Sequence, residues 1–241
     1  ELHDLNVRHT PEDGEPQKFQ IERIMYGVDM SGFGGQTTNF GFRFGYNGVE
    51  TGQVPEQYQK YVPTNFKIDY RLENLPLKEL LKVGTQMAGQ AEPENRQTMA
   101  IQAAMMTPQI LSKSGTIIKI QENNSGNDFY NVIFNGNFKA DAQAAYQAVG
   151  SAFVKFKGLD ELLKSLQADA QNAASPKQKQ RFMQAVQGLS MVQLLGQKDQ
   201  ENPGTRYYDL ELTKTGEFRI NGSSLQNIMG GQTRGQTEGQ K

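Results

Sequence analysis

Apolar and polar residues alternate with a period of two along several segments of the first third of the chain. This period places alternate side chains on one face of a β-strand, so each segment is predicted to be a strand. Between residues 66 and 72 the intervening positions are all charged, which predicts a solvated second face, as antiparallel sheets allow. Earlier strands are predicted at residues 2–8 and 19–30, around a turn-forming cluster at 11–14. The apolar positions of the two clearest strands are Phe40, Phe42, Phe44 and Tyr46, then Phe66, Ile68, Tyr70 and Leu72.

Helical spacing replaces this period after residue 75. Pro76 suits the first turn of a helix, and leucines then recur at helical intervals. A second helix is predicted from residue 93 to about residue 106. The period of two returns at residues 118–120 and 130–138, which predicts a hairpin around a polar turn at 123–128. The stripe of the second helix would contain Met99, Ala103, Met106 and Ile110.

The second half of the chain repeats this order. A strand at 152–157 precedes a leucine-striped helix that opens at Gly158, and Ser175 begins a further helix through a capping box with Gln178. Two strands at 206–213 and 217–221 follow, and residues 230–241 are expected to be disordered. The leucine stripe consists of Leu159, Leu162, Leu163 and Leu166.

The repeated order predicts an α+β fold with an internal duplication. Residues 75–82 resemble residues 158–164, and the duplicated units would span about 61–138 and 150–225. Leucine-rich helix starts also resemble one another by chance, and this alternative stays open. We predict one domain over residues 1–229, in which the stripes of both leucine helices bury against the aromatic strand faces in a single core.

Composition excludes several classes of protein. The 241 residues include 25 basic and 26 acidic side chains, so no positive surface for nucleic acid is expected. The chain has no cysteine, which removes disulfides and cysteine-ligated zinc, and no apolar stretch is long enough to span a membrane. It begins at Glu1, and we expect that a signal peptide, an anchor or another domain was removed upstream.

Motifs that resemble functional sites each lack an essential part. The glycines at 32–35 lack the Lys-Ser/Thr ending of a phosphate loop, and a calcium loop at 121–132 would place Val132 where a glutamate is needed. His3 and His9 would lie about 20 Å apart in a strand, too far to share a metal.

Catalytic patterns are missing in the same way. No spacing singles out a carboxylate pair, no Gly-x-Ser-x-Gly elbow occurs, and Asp160 and Glu161 fit the first turn of a helix. Asn123 and Asn221 begin Asn-x-Ser sequences, which would matter only in a glycosylating pathway. We therefore predict no enzyme activity, no metal and no cofactor.

Three segments together resemble a group of bacterial proteins. They are residues 61–81, with Val-Pro, a strand and Leu-Pro before a helix; residues 150–163; and the closing residues 208–222. These are similar to uncharacterised proteobacterial envelope proteins of the AsmA-like and YdgA-like groups. The resemblance implies a periplasmic protein, either exported or anchored in the inner membrane through a segment upstream of Glu1. It also implies a large curved antiparallel sheet, helices against one face and no known enzymatic activity. The high Gln and Gly content departs from these groups.

The functional prediction is an apolar groove between the aromatic strands and the methionine-rich helices. Its occupant would be a lipid or another amphipathic partner, because methionine lines adaptable apolar sites. A structural or protein–protein interaction module of the envelope is the alternative, and a glycan hydrolase is the least favoured; the same residues could also be ordinary core. The groove residues would be Phe40, Phe42, Phe44, Tyr46, Phe66, Tyr70, Met87, Met99 and Met106.

Overall fold

The computed structural model describes residues 2–9, 17–51, 54–90 and 96–227. These residues form one open, curved sheet of 11 antiparallel strands with helices, which confirms the predicted α+β class. The turn predicted at 11–14 and the tail predicted at 230–241 lie outside the described residues. Among the described helices, none is long and apolar enough to cross a lipid bilayer.

The strands follow one another across the sheet almost in chain order, from β1 to β7 and then β9, β10 and β11, while β8 pairs with β9. The strands are β1 (Leu2–His9), β2 (Gln17–Ser31), β3 (Thr38–Thr51), β4 (Asn65–Leu75), β5 (Ile117–Gly126), β6 (Asn131–Ala140), β7 (Ala148–Lys157), β8 (Gln197–Lys198), β9 (Arg206–Leu212), β10 (Phe218–Ile220) and β11 (Ser223–Ser224). The helices are α1 (Glu56–Gln59), α2 (Leu77–Gln90), α3 (Arg96–Ser114), α4 (Leu159–Gln171) and α5 (Pro176–Leu195). A strand, two helices and a strand pair thus occur twice, from β4 to β6 and from β7 to β10.

Two helix starts show why the chain turns where it does. Ser175 Oγ accepts a hydrogen bond from the Gln178 N–H (3.2 Å), so the predicted cap of α5 is confirmed. Gly158 joins β7 to α4 with φ of +75°, and a Cβ there would collide with the Phe129 carbonyl oxygen. Only glycine fits this junction without strain.

The core lies between the second helix pair and the sheet. The leucine stripe of α4 is buried as predicted, together with Phe182 and Val186 of α5 and Phe156 and Tyr208 of the sheet. The prediction that α2 buries its leucines in the same way is wrong: Leu80 is half-buried and Leu81 is exposed. The pair α2–α3 packs only sparsely on the sheet, and Leu81, Ile101, Met105 and Met106 are exposed.

The polar turn predicted at 123–128 is also wrong. β5 continues to Gly126, and Asn123 is fully buried, so the folded chain does not offer this side chain for glycosylation. Asn123 Oδ1 accepts the Asp69 N–H where the register between β4 and β5 shifts. The turn itself forms after β5, where Asn127 Oδ1 accepts the N–H groups of Phe129 and Tyr130.

Candidate functional site

The six aromatic side chains of the predicted groove share one face of the sheet. Residues directly opposed in antiparallel strands point to the same face, and Phe42 lies opposite Tyr70 while Tyr46 lies opposite Phe66. The rings of Tyr46 and Phe66 stack with centroids 5.5 Å apart. The structure therefore brings together Phe40, Phe42, Phe44, Tyr46, Phe66 and Tyr70.

The same face continues to the far end of the sheet, where α4 and α5 cover it. Register carries it from Phe66 through Ser125 and Val132 to Phe156. Phe156 belongs to the buried core under α4, and Val132 packs against that core. One apolar face thus has a covered part near β7 and β9 and a less covered part near β2 to β5.

An apolar row crosses this face near the base of α2 and α3. Its members are directly opposed from strand to strand, so the row runs through eight strands, a distance of about 34 Å at the usual strand spacing. Met30 is 48% exposed, Ile118 45% and Phe218 39%. The apolar row consists of Met30, Phe40, Leu72, Ile118, Phe138, Gly150, Leu212 and Phe218.

The helical pair α2–α3 starts and ends beside the apolar row. Leu75, the last residue of β4, pairs with Thr38 just beyond the row, and α3 returns the chain to Ile117, next to Ile118. The predicted groove residue Met106 is exposed on α3, while the side chains of Met87 and Met99 lie outside the described residues. Among the side chains of the pair that the structure describes, the large apolar ones that are exposed are Leu81, Ile101, Met105 and Met106.

Hydrogen bonds hold the base of this helical pair. Asn74 has φ of +57°, and its N–H donates to Asn39 Oδ1 (2.9 Å) while its carbonyl accepts from Thr116 Oγ1 (3.0 Å). The glycines at 32–35 form the turn between β2 and β3. Lys78 Nζ donates to the Gly34 carbonyl oxygen (2.5 Å), which ties the start of α2 to that turn.

A tyrosine cluster closes the opposite end of the apolar face. Tyr61 donates to Asp169 Oδ2 of α4 (2.6 Å), and Tyr130 donates to the Tyr61 carbonyl oxygen (3.0 Å). Burial raises the pKa of Tyr61, and the hydrogen bond to Asp169 raises this pKa further. Sequence reasoning missed α1 and these contacts, because a four-residue helix after Pro55 leaves no periodic signal.

A buried ion pair also escaped sequence reasoning. Arg206 lies opposite Phe156 on the apolar face and is 2% exposed, and it donates to both carboxylate oxygens of Asp160 (2.8 and 2.9 Å). Gln193 of α5 donates to the same carboxylate (2.7 Å). Asp160 therefore does more than favour the first turn of α4: it neutralises the guanidinium beneath that helix.

Groups for acid–base or metal chemistry are scattered. Among the described residues, no cluster of three or more His, Cys, Asp or Glu side chains is placed to hold a metal. Asp209 and Glu211 share one face of β9, about 7 Å apart by strand rise; both are exposed to solvent and border an open depression on the sheet. This arrangement of acidic side chains adds no support for the glycan-hydrolase alternative.

Comparison with known proteins gave no further identification. No protein-family model matches the chain, and searches of curated proteins and of solved structures found no match.

Proposed function

We propose that the chain is a non-enzymatic domain of the bacterial cell envelope that binds a lipid acyl chain along the apolar row. The observation that carries this proposal is a row of seven apolar side chains and Gly150 across eight strands, with Met30, Ile118 and Phe218 39–48% exposed. Exposed apolar surface of this extent on one face is typical of a binding site. The envelope location rests on the resemblance of the three segments described above.

The dimensions of the row fit an acyl chain. The chains of one bilayer leaflet span about 15 Å, so the row of about 34 Å has room for one or two of them laid across the strands. The row has no polar side chain, and the Phe138 ring lies against Gly150 in its middle. The base of the pair α2–α3 lies beside the row, where Leu75 and Ile117 join it to the sheet.

Native mass spectrometry of the protein purified from cells tests this proposal. Lipid that co-purifies at a defined ratio is the expected result. A clean apo mass, with no lipid in a solvent extract of the same sample, would contradict acyl-chain binding.

Substitution of Met30 should weaken the binding of a fluorescent fatty acid. Replacing a half-exposed methionine with serine removes roughly 1 kcal/mol of apolar contact, so Met30→Ser should raise the dissociation constant about fivefold. The fluorescence titration is run with the full chain.

Met191→Ser is the matched control. Met191 is also 48% exposed, but it lies on α5 outside the apolar row. Its substitution should leave the dissociation constant unchanged. Equal losses in the two variants would show that the fatty acid binds apolar surface without regard to the row.

A second candidate function, an interaction module that pairs through a sheet edge, is favoured by one feature of β2. β1 pairs with Gln17 to Ile24 only, so the outer edge of residues 25–31 has no strand partner within the described part of the chain. Tyr26 and Val28 on this stretch are exposed, and unprotected strand edges accept added strands.

A charged residue on this edge provides the test. Val28→Lys should abolish cross-linking to a strand-pairing partner, because lysine on an edge disfavours strand addition. Met191→Lys adds the same charge on α5 and should leave the cross-link intact. Cross-linking that survives Val28→Lys would exclude β2 as the interface.

A further inference from the structure

A second surface lies on the opposite, polar face of the sheet. A depression of about 650 Å³ crosses β5, β6, β7 and β9. Much of its lining is polar side chains that point away from the apolar row, because they occupy the alternate strand positions. Ile120, Ala152, Phe153 and Leu210 also border it. The side chains that matter below are Gln121, Glu122, Asn135, Asn137, Ser151 and Phe153.

A β-bulge concentrates polar groups at this depression. Between the pairs Ile120–Gly136 and Asn123–Phe134, two residues of β5 face the single residue Asn135 of β6. Consecutive strand residues normally point to opposite faces, but the bulge lets both Gln121 and Glu122 line the depression. Bulges are found next to binding sites for this reason.

The neutral side chains here are free to bind a ligand. Gln121, Asn135, Asn137 and Ser151 make no side-chain hydrogen bond to any other described residue. Asn137 lies directly opposite Ser151, so an amide and a hydroxyl stand side by side. Each amide both donates and accepts, which suits the paired hydroxyl groups of a sugar ring.

An aromatic ring borders these amides. Phe153 lies opposite Asn135 and stacks on Tyr207 with centroids 5.6 Å apart. Tyr207 is held in turn by a hydrogen bond to Asp199 (2.6 Å) and by the Lys155 ammonium over its ring. A rigid ring beside hydrogen-bonding groups offers a surface for the C–H face of a pyranose.

The charges at the depression disfavour anions. Lys119 is paired with Glu73 (2.8 Å), and Glu211 is paired with Arg219 (3.5 Å). The carboxylates of Asp209 and Glu122 have no such partner among the described residues. They can accept hydrogen bonds from hydroxyl groups and would repel a phosphate or a uronic acid.

We propose that this depression binds a neutral oligosaccharide. The four strands span about 14 Å, which accommodates a short run of sugar rings across the amides and the Phe153 ring. The site lies on the face opposite the apolar row and is independent of acyl-chain binding. Met30→Ser should therefore leave oligosaccharide affinity unchanged.

Calorimetric titration of the full chain with cellotetraose, maltotetraose and chitotetraose tests the proposal. At least one of these neutral probes should bind, and the double variant Asn135→Ala/Asn137→Ala should bind it at least about tenfold more weakly. Asn47→Ala is the matched control. Asn47 is an exposed asparagine on the same polar face of the sheet, but it lies on β3, away from the depression. The Asn47→Ala variant should bind the oligosaccharide with the same affinity as the unchanged chain.

Several outcomes would overturn the proposal. They are no binding by any neutral probe, equal affinity in the double variant and the control, or tighter binding of tetragalacturonate than of the neutral probes. If circular dichroism shows that the double variant is unfolded, Asn137→Asp keeps the side-chain shape while removing the amide donor. It should then show the same loss, and unchanged affinity in this variant would reject the site.

Discussion

Leu159→Ala should lower the free energy of unfolding by about 3 to 5 kcal/mol, as for the best-packed leucines. Leu159 is fully buried in the core that α4 and α5 form with the sheet. Its truncation leaves a cavity between the first turn of α4 and the sheet that rigid neighbours fill only in part. Urea denaturation followed by circular dichroism measures the loss.

Leu194→Ala is the control for this change. Leu194 belongs to α5 but is 79% exposed, so its truncation should cost less than about 0.5 kcal/mol. The exposed Leu81 of α2 should behave like Leu194. A loss at Leu81 as large as that at Leu159 would show that α2 packs on the sheet in solution.

Asp160→Ala should cost about 3 kcal/mol, because it leaves the buried Arg206 guanidinium without its counter-ion. The side chain of Arg206 is 3% exposed, and its remaining acceptors are the carbonyl oxygens of Pro203 and Thr205. Neither carries a full negative charge. The same urea denaturation measures the change.

Glu161→Ala separates the ion pair from the effect of the helix dipole. Glu161 is the neighbouring acid in the first turn of α4, is exposed, and makes no ion pair within the described residues. If Asp160 acted only through the dipole, both substitutions would cost the same few tenths to 1 kcal/mol. A clear excess at Asp160 is expected.

Acid should weaken the same contact. Burial raises the pKa of the Asp160 carboxyl, but hydrogen bonds from Gln193 and Arg206, with the charge of Arg206, outweigh burial and lower this pKa overall. A lowered folded-state pKa contributes stability above the unfolded value, near pH 4, that is lost as the pH falls through the folded value. Asp160→Asn should therefore flatten the fall in melting temperature below about pH 4. An unchanged acid slope would contradict this assignment.

Much of the architecture was predictable because it depends on local periodicity. Alternation at Phe40 to Tyr46 and at Phe66 to Leu72 predicted strands that pair directly in the structure. The stripe of α4 and the cap at Ser175 likewise placed two helices, since both signals lie within a few residues of sequence.

The features that sequence reasoning missed depend on contacts between distant residues. Asn123 looked like a turn residue, yet it fills a register shift between β4 and β5 by accepting the Asp69 N–H. The leucines of α2 repeat like those of α4, but this periodicity does not show whether a helix pair packs on the sheet. The Asp160–Arg206 pair joins residues 46 positions apart.

The candidate site was predicted in part. The shared face of the six aromatic residues follows from alternation, whereas the exposed line through Ile118 and Phe218 depends on the register of eight strands. Met106 was assigned to a wall of a groove, and the structure places it at an exposed position of α3. The polar depression depends on a β-bulge at Gln121 and Glu122, which the alternation of apolar and polar residues did not predict.

Methyl NMR with a spin-labelled fatty acid tests acyl-chain binding along the apolar row most directly. The chain has nine methionines, whose methyl signals can be assigned by substitution. A nitroxide on the acyl chain should broaden the signal of Met30 in the row and leave those of Met183 and Met191 on α5 sharp. Equal broadening of all three, or no broadening at Met30 when the fatty acid is bound, would contradict binding along the row.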